Sequence, residues 1–120
     1  MPVVRGSAFF RAGHPFFVLS DPALNAGKVL CVNLTTLDNE CPDDECILDE
    51  NDYAWIKPNH PTAVAFSRAR VWDVAKLEYC LQTGFLKPAN PPIVPAATVA
   101  RVLAVAQIAR ELSPDKKALL

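Results

Sequence analysis

The chain has 120 residues, 51% of them hydrophobic, with a mean hydropathy of +0.14 and a formal net charge of −1. That apolar content excludes a disordered chain and lets a single domain over residues 1–120 bury a core without disulfide or metal staples. No apolar run reaches the roughly 18–20 residues that span a bilayer. The opening Met1-Pro2-Val3-Val4-Arg5-Gly6-Ser7 lacks a signal-peptide core, so a cytoplasmic protein with no membrane partner is expected.

The first two-thirds read as strands. Residues 7–11 form a short apolar stretch, and 15–20 are a Phe/Val/Leu run closed by Asp21-Pro22. Asn25-Ala26-Gly27 marks a turn into a strand over 28–36. In that strand Val29, Cys31, Asn33 and Thr35 share one face, while Leu30, Val32, Leu34 and Thr36 share the other. Residues 38–52 then hold eight acidic side chains and no basic one, leaving twelve basic against five acidic residues elsewhere. The body of the chain is basic, which is compatible with a nucleic-acid or phosphate partner. An ordinary solvated loop explains the same split, and so does a loop that shields the basic face as a mimic of RNA.

After Cys46-Ile47-Leu48 and a polar turn at residues 49–52, Pro58-Asn59-His60-Pro61 interrupts the chain before strand character resumes over 62–71. Trp72-Asp73 introduces Val74, Leu77, Cys80 and Leu81 at helical spacing, with Asp73 as N-cap and Gly84 as stop. The proline-rich connector, residues 87–95, is neither helix nor central strand and is expected to run extended across the surface. A last helix over about 96–112 carries a broad apolar face, and the tail 113–120 is expected to fray. These elements predict a β-rich α+β fold: a small antiparallel barrel over about residues 6–72, with one or two C-terminal helices over about 73–112.

The cysteines make no framework. Cys31 and Cys80 read as small core residues, whereas Cys41 and Cys46 flank a polar loop where reduced, solvent-near thiols are the default. A zinc site from Cys41, Cys46, His14 and His60 lacks any short-spaced ligand pair, so no metal or other cofactor is expected.

The two histidines each precede a proline at the entrance of an apolar run, in Gly13-His14-Pro15-Phe16-Phe17 and Asn59-His60-Pro61-Thr62-Ala63. Imidazole is the side chain able to exchange a proton near neutral pH. Metal-free cleavage of RNA needs a base for the 2′-hydroxyl, an acid for the leaving oxygen, and donors for the charged phosphorane. His14 and His60 suit the first two roles. Arg68 and Arg70, about 6–7 Å apart on one face of their strand, suit the third, with Ser67 assigned to the opposite face. Thr35, Thr36 and Ser67 supply neutral hydrogen bonds, and Lys57, just before His60, is a further cation. Solvated arginines, one of them paired to Asp73, and histidines bonded to backbone are the ordinary alternatives. Phe9, Phe10, Phe16, Phe17 and Phe66 read as core, and packing is favoured over base stacking for Tyr53 and Trp55.

The run Gly13-His14-Pro15-Phe16-Phe17-Val18-Leu19-Ser20-Asp21, then Val29-Leu30-Cys31-Val32-Asn33-Leu34-Thr35-Thr36, and less closely Val64 to Asp73 with the helix after it, resembles the PemK/MazF toxin family over residues 6–83. The resemblance implies an SH3-like barrel, usually a homodimer, acting on single-stranded RNA as a metal-independent endoribonuclease restrained by an antitoxin peptide. By position, the family's catalytic threonine falls on Thr35 or Thr36. Its catalytic arginine falls on His14, with Arg11 three residues earlier. The gap between Phe10 and His14 is shorter than the loop the family carries there. Two further functions compete: a non-catalytic barrel that binds RNA or a protein partner, and a zinc-dependent hydrolase.

Overall fold

The computed structural model describes residues 2–37 and 43–120 of the protein. Six strands, β1 (Ser7–Arg11), β2 (His14–Val18), β3 (Lys28–Thr36), β4 (Ile47–Leu48), β5 (Thr62–Asp73) and β6 (Lys87–Ile93), form one curled antiparallel sheet in the order β4-β5-β3-β2-β1-β6. With them come α1 (Val74–Gln82), α2 (Ala96–Ala106) and the short α3 (Pro114–Lys117). The expected β-rich α+β class is the observed one, with an open half-barrel. No helix among the described residues is long and apolar enough to cross a membrane.

Period-two alternation divides the strands between two apolar layers. Phe9, Phe16, Val18, Val29 and Cys31 face α1 and pack with Leu77, Leu86 and the partly buried Trp72. Phe17, Leu30, Val32, Leu34, Val64 and Phe66 point the other way and pack against Val99, Val102 and Ala106 of α2. Burial on both faces explains why β2 and β3 read as continuous apolar runs. The Phe9, Phe16 and Trp72 rings pack together with centroids 5.0–6.0 Å apart, Phe9 and Phe16 stacked and Trp72 tilted against both.

The β1–β2 hairpin is as tight as hairpins become. Arg11 pairs with His14 across a two-residue turn in which Ala12 and Gly13 both have positive φ, 50° and 81°. Such a turn matches the right-handed twist of the strands it joins. Arg11 and His14 are thereby cross-strand neighbours.

Several local expectations differ from the structure. The proline-rich segment forms the edge strand β6, where prolines are tolerated because an outward-facing edge needs no N–H donor. Asp73 stands at the N-cap of α1, yet its side chain makes no capping bond and accepts instead from Lys28 Nζ at 2.9 Å. The last long helix stops at Ala106, although Ala109 and Leu112 beyond it stay buried. Residues 113–120 are held down. Ser113 caps α3 by accepting from Lys116 N, Leu119 and Leu120 pack on the core, and Leu119 O accepts from Asn25 Nδ2 at 2.7 Å.

Cys46 is buried, not solvent-near, and Cys41 lies outside the described residues. Burial pushes the thiols of Cys31 and Cys46 up. Tyr53 is also buried, and Trp55 packs on it and on Phe10.

Candidate anion-binding site

β5 cannot pair evenly with β3. Cys31 lies opposite Arg70 and Asn33 opposite Ala65, so four residues of β5, Phe66 to Ala69, face the single residue Val32. An excess on one strand forces it to buckle and strips ladder partners from its backbone. Two of the displaced backbone groups find other partners. Ser67 N donates to the buried Asp43 carboxylate at 3.1 Å, and Ala69 O accepts from Lys116 Nζ at 2.7 Å. The Ser67 hydroxyl also donates to Asp43. The acidic segment and the C-terminal tail thus hold the bulge open from its two sides.

The bulge borders a cavity of about 680 Å³ lined by Arg11, His14, Phe16, Asn33, Ser67, Arg68, Ala69, Arg70 and Lys116. Each element contributes for a local reason. The hairpin turn delivers Arg11 and His14 together. Asn33 continues the Val29/Cys31 face of β3 opposite Phe16, where the α1-side layer gives out. The buckle turns consecutive β5 residues toward one space, so strict alternation fails there, and Ser67 and Ala69 line the same cavity as Arg68 and Arg70.

Four lining side chains, Arg11, Arg68, Arg70 and Lys116, are cationic types, and no lining residue is acidic. Among the described residues none of the four forms an ion pair. Asp73 pairs with Lys28 and not with an arginine, and the Lys28 ammonium holds its carboxyl below the usual range. Asp44 and Glu45 pair with Arg110, and Asp52 with Arg101. The described part of the acidic segment has partners at both ends: Asp43 on Ser67, and Asp44, Glu45 and Asp52 on Arg110 and Arg101. It is clasped by the chain of α2 and beyond. Residues 38–42 lie outside the described residues.

Arg11, His14, Ser67, Arg68 and Arg70 come together as candidates, but Ser67 spends its proton on Asp43 and can only accept from a ligand. Thr35 and Thr36 end β3 opposite Ala63 and Thr62, His60 lies two residues before β5, and Lys57 stands further back; none of these lines the cavity. His14 is thus the one imidazole bordering it. Sequence reasoning missed Asn33 and Lys116. A polar residue inside the apolar run 29–34 was a signal for the first, and Ser113-Pro114, a helix start, for the second. Among the described residues no group of three or more His, Cys, Asp or Glu is placed to hold a metal ion.

Chemically, the cavity presents cationic donors of the kind that suit an anion. Arginine and lysine present only donors, and the arginine forks match phosphate oxygens two at a time. No family model matches the chain, and no curated protein or solved structure matches it significantly.

Proposed function

We propose that this protein binds single-stranded RNA, holding the phosphodiester backbone in the cavity beside the β5 bulge. The observation that carries this reading is the convergence of Arg11, Arg68, Arg70 and Lys116 on one space without an acidic lining residue. Four like charges around a single cavity repel one another, and that arrangement becomes favourable when an anion enters. The antiparallel half-barrel with helices on both faces supports an SH3-like architecture, the fold that the resemblance to PemK/MazF toxins implies.

Cleavage of the bound strand is the second reading, favoured by the position of His14 opposite Arg11 and inside the same cavity. In a metal-independent, toxin-like reaction His14 takes the 2′-hydroxyl proton and the 2′-oxygen attacks phosphorus. The bond to the 5′-oxygen breaks, and that oxygen takes a proton from water as a 2′,3′-cyclic phosphate forms. The arginines stabilise the charge that gathers on phosphorus. This reaction assigns no role to His60, Thr35 or Thr36, which lie outside the cavity. A homodimer and an antitoxin peptide accompany the toxin-like reading.

A labelled single-stranded RNA titrated with the protein tests both. Binding should be lost in the Arg68→Glu/Arg70→Glu variant, and unchanged affinity in that variant would refute the site. If cleavage also occurs, it should persist in excess chelator and vanish in His14→Ala while binding survives. Binding without any cleavage selects the non-catalytic barrel.

A further inference from the structure

Arg11 belongs to two cavities. Besides the one beside the bulge, it lines a smaller one of about 210 Å³ on the α1 side of the sheet, together with Lys76 and the apolar Trp72, Leu77, Phe85 and Leu86. No residue lining this second cavity is acidic either. Pockets for drug-sized ligands run to about 300–1,000 Å³, so this one suits a single ring system.

Its exposed wall is Phe85. The residue stands between α1 and β6, is 83% exposed, and among the described residues no other ring packs on it. The turn that carries it is anchored on both sides. Before it, Gly84 has φ of +80°, the glycine stop of a helix, and its N–H donates to Leu81 O at 3.4 Å. After it, Leu86 is buried in the α1-side layer and its N–H donates to Cys80 O at 3.0 Å. With both neighbours fixed, the ring is held out in water instead of joining the layer where Leu86 packs. A single exposed apolar side chain needs no explanation. This one borders a cavity that also holds an indole and two cations, and that cavity shares Arg11 with the anion site.

We propose that the second cavity takes a base of the bound RNA strand, stacked on Phe85, next to the phosphate that Arg11 holds with Arg68 and Arg70. Single strands are gripped by a positive groove along the backbone and by aromatic faces for the bases, and the two cavities supply one of each. Arg11 and Lys76 offer only donors, which suit the carbonyl and ring-nitrogen acceptors of a base. This rests on the reading of the first cavity as an RNA phosphate site, and adds where the strand's bases bind.

The experiment measures affinities of the full chain for a labelled oligo(U) and for an abasic ribose-phosphate strand of the same length, which keeps the phosphates and lacks the bases. Wild type should bind oligo(U) about fivefold or more tighter, the scale of one base–aromatic stack. Phe85→Ala should lose oligo(U) affinity about fivefold or more while binding the abasic strand within about twofold of wild type. Its salt slope should match wild type, because no phosphate contact is lost. Phe85→Tyr keeps the ring face and should bind oligo(U) as wild type does. Because the ring is exposed, both variants should melt close to wild type. Equal wild-type affinity for the two strands would overturn this inference while leaving the phosphate site standing. So would an equal loss on both strands in Phe85→Ala. Undiminished oligo(U) affinity in that variant would overturn it too, whether or not the substitution dissolves a dimer in which the ring meets a second copy of this chain. Binding of neither strand sinks the RNA-binding reading and this inference together.

Discussion

The most direct test of the cavity is the salt dependence of RNA binding. A cation that neutralises a phosphate releases condensed counterions, and for single strands the slope of log affinity against log salt is about −0.7 per phosphate neutralised. Arg11, Arg68, Arg70 and Lys116 set the ceiling at four. Lys116 belongs in that count because its ammonium has three donors and gives only one to Ala69 O. If each holds a phosphate, the slope is about −2.8, and raising salt from about 50 to 200 mM weakens binding about 50-fold. The Arg68→Ala/Arg70→Ala variant keeps two of the four, so its slope should fall to about −1.4 and the same change in salt should cost about 7-fold. Both arginines are exposed strand residues outside the core, so the variant should melt close to wild type. Fluorescence anisotropy over a salt series, with a melting curve for each protein, gives the numbers. A variant that binds less tightly at every salt but keeps the wild-type slope would refute the reasoning, since its arginines would then act through something other than phosphate contact.

Three further outcomes follow from the packing and the charges. Gly6 has φ of +94°, and a Cβ there would stand 3.0 Å from Val94 O and 3.3 Å from Val99 Cγ2. Gly6→Ala should therefore lose about 1–3 kcal/mol in urea unfolding, and a loss under about 0.5 kcal/mol would show that the turn can relax. Burial pushes the Tyr53 hydroxyl up to about 12, and it donates to Pro91 O. A raised value in the folded state means this stabilisation is complete below about pH 10 and is lost as pH rises toward 12. Tyr53→Phe should cost about 1 kcal/mol at neutral pH and flatten the alkaline decline; an unchanged decline would contradict the assignment. The Arg110 guanidinium holds the Glu45 carboxyl below its usual range, so this pair stabilises the fold above about pH 4.3 and is lost as pH falls. Glu45→Gln should make stability less steep with pH on the acid side, as read from unfolding curves between neutral and acid pH; the same steepness in both proteins would rule the pair out as a contributor.

Legibility differed from element to element, for physical reasons. β3 was readable because its alternation is regular: Val29 and Cys31 went to one layer and Leu30, Val32 and Leu34 to the other, as period two demands. The helix at Val74 was readable from spacing and its Gly84 stop. The bulge was not, because nothing in Phe66-Ser67-Arg68-Ala69 states that one residue of the neighbouring strand must face all four. Strand alternation therefore assigned Ser67 and Arg68 to opposite faces, and the structure turns both into one cavity.

His14 and His60 looked equivalent as His-Pro pairs. A hairpin turn of two residues places the first beside Arg11, a contact only three positions away along the chain. Whether the second histidine shared that space depended on the registers of β5 and β3, which no local pattern encodes. Lys116 shows the same division: the tail 113–120 read as frayed, because the partner that holds Lys116, Ala69 O, lies 47 residues away along the chain.

By itself the sequence determined the β-rich class, the period-two division of β3 between two faces, and the surplus of positive charge outside residues 38–52. Those properties rest on short-range periodicity, turn chemistry and composition. Only the tertiary structure decided that Arg11, His14, Asn33, Arg68, Arg70 and Lys116 border one cavity. Side chains from β1, β2, β3, β5 and α3 meet there through strand register and a bulge, and register is set by packing across the whole sheet.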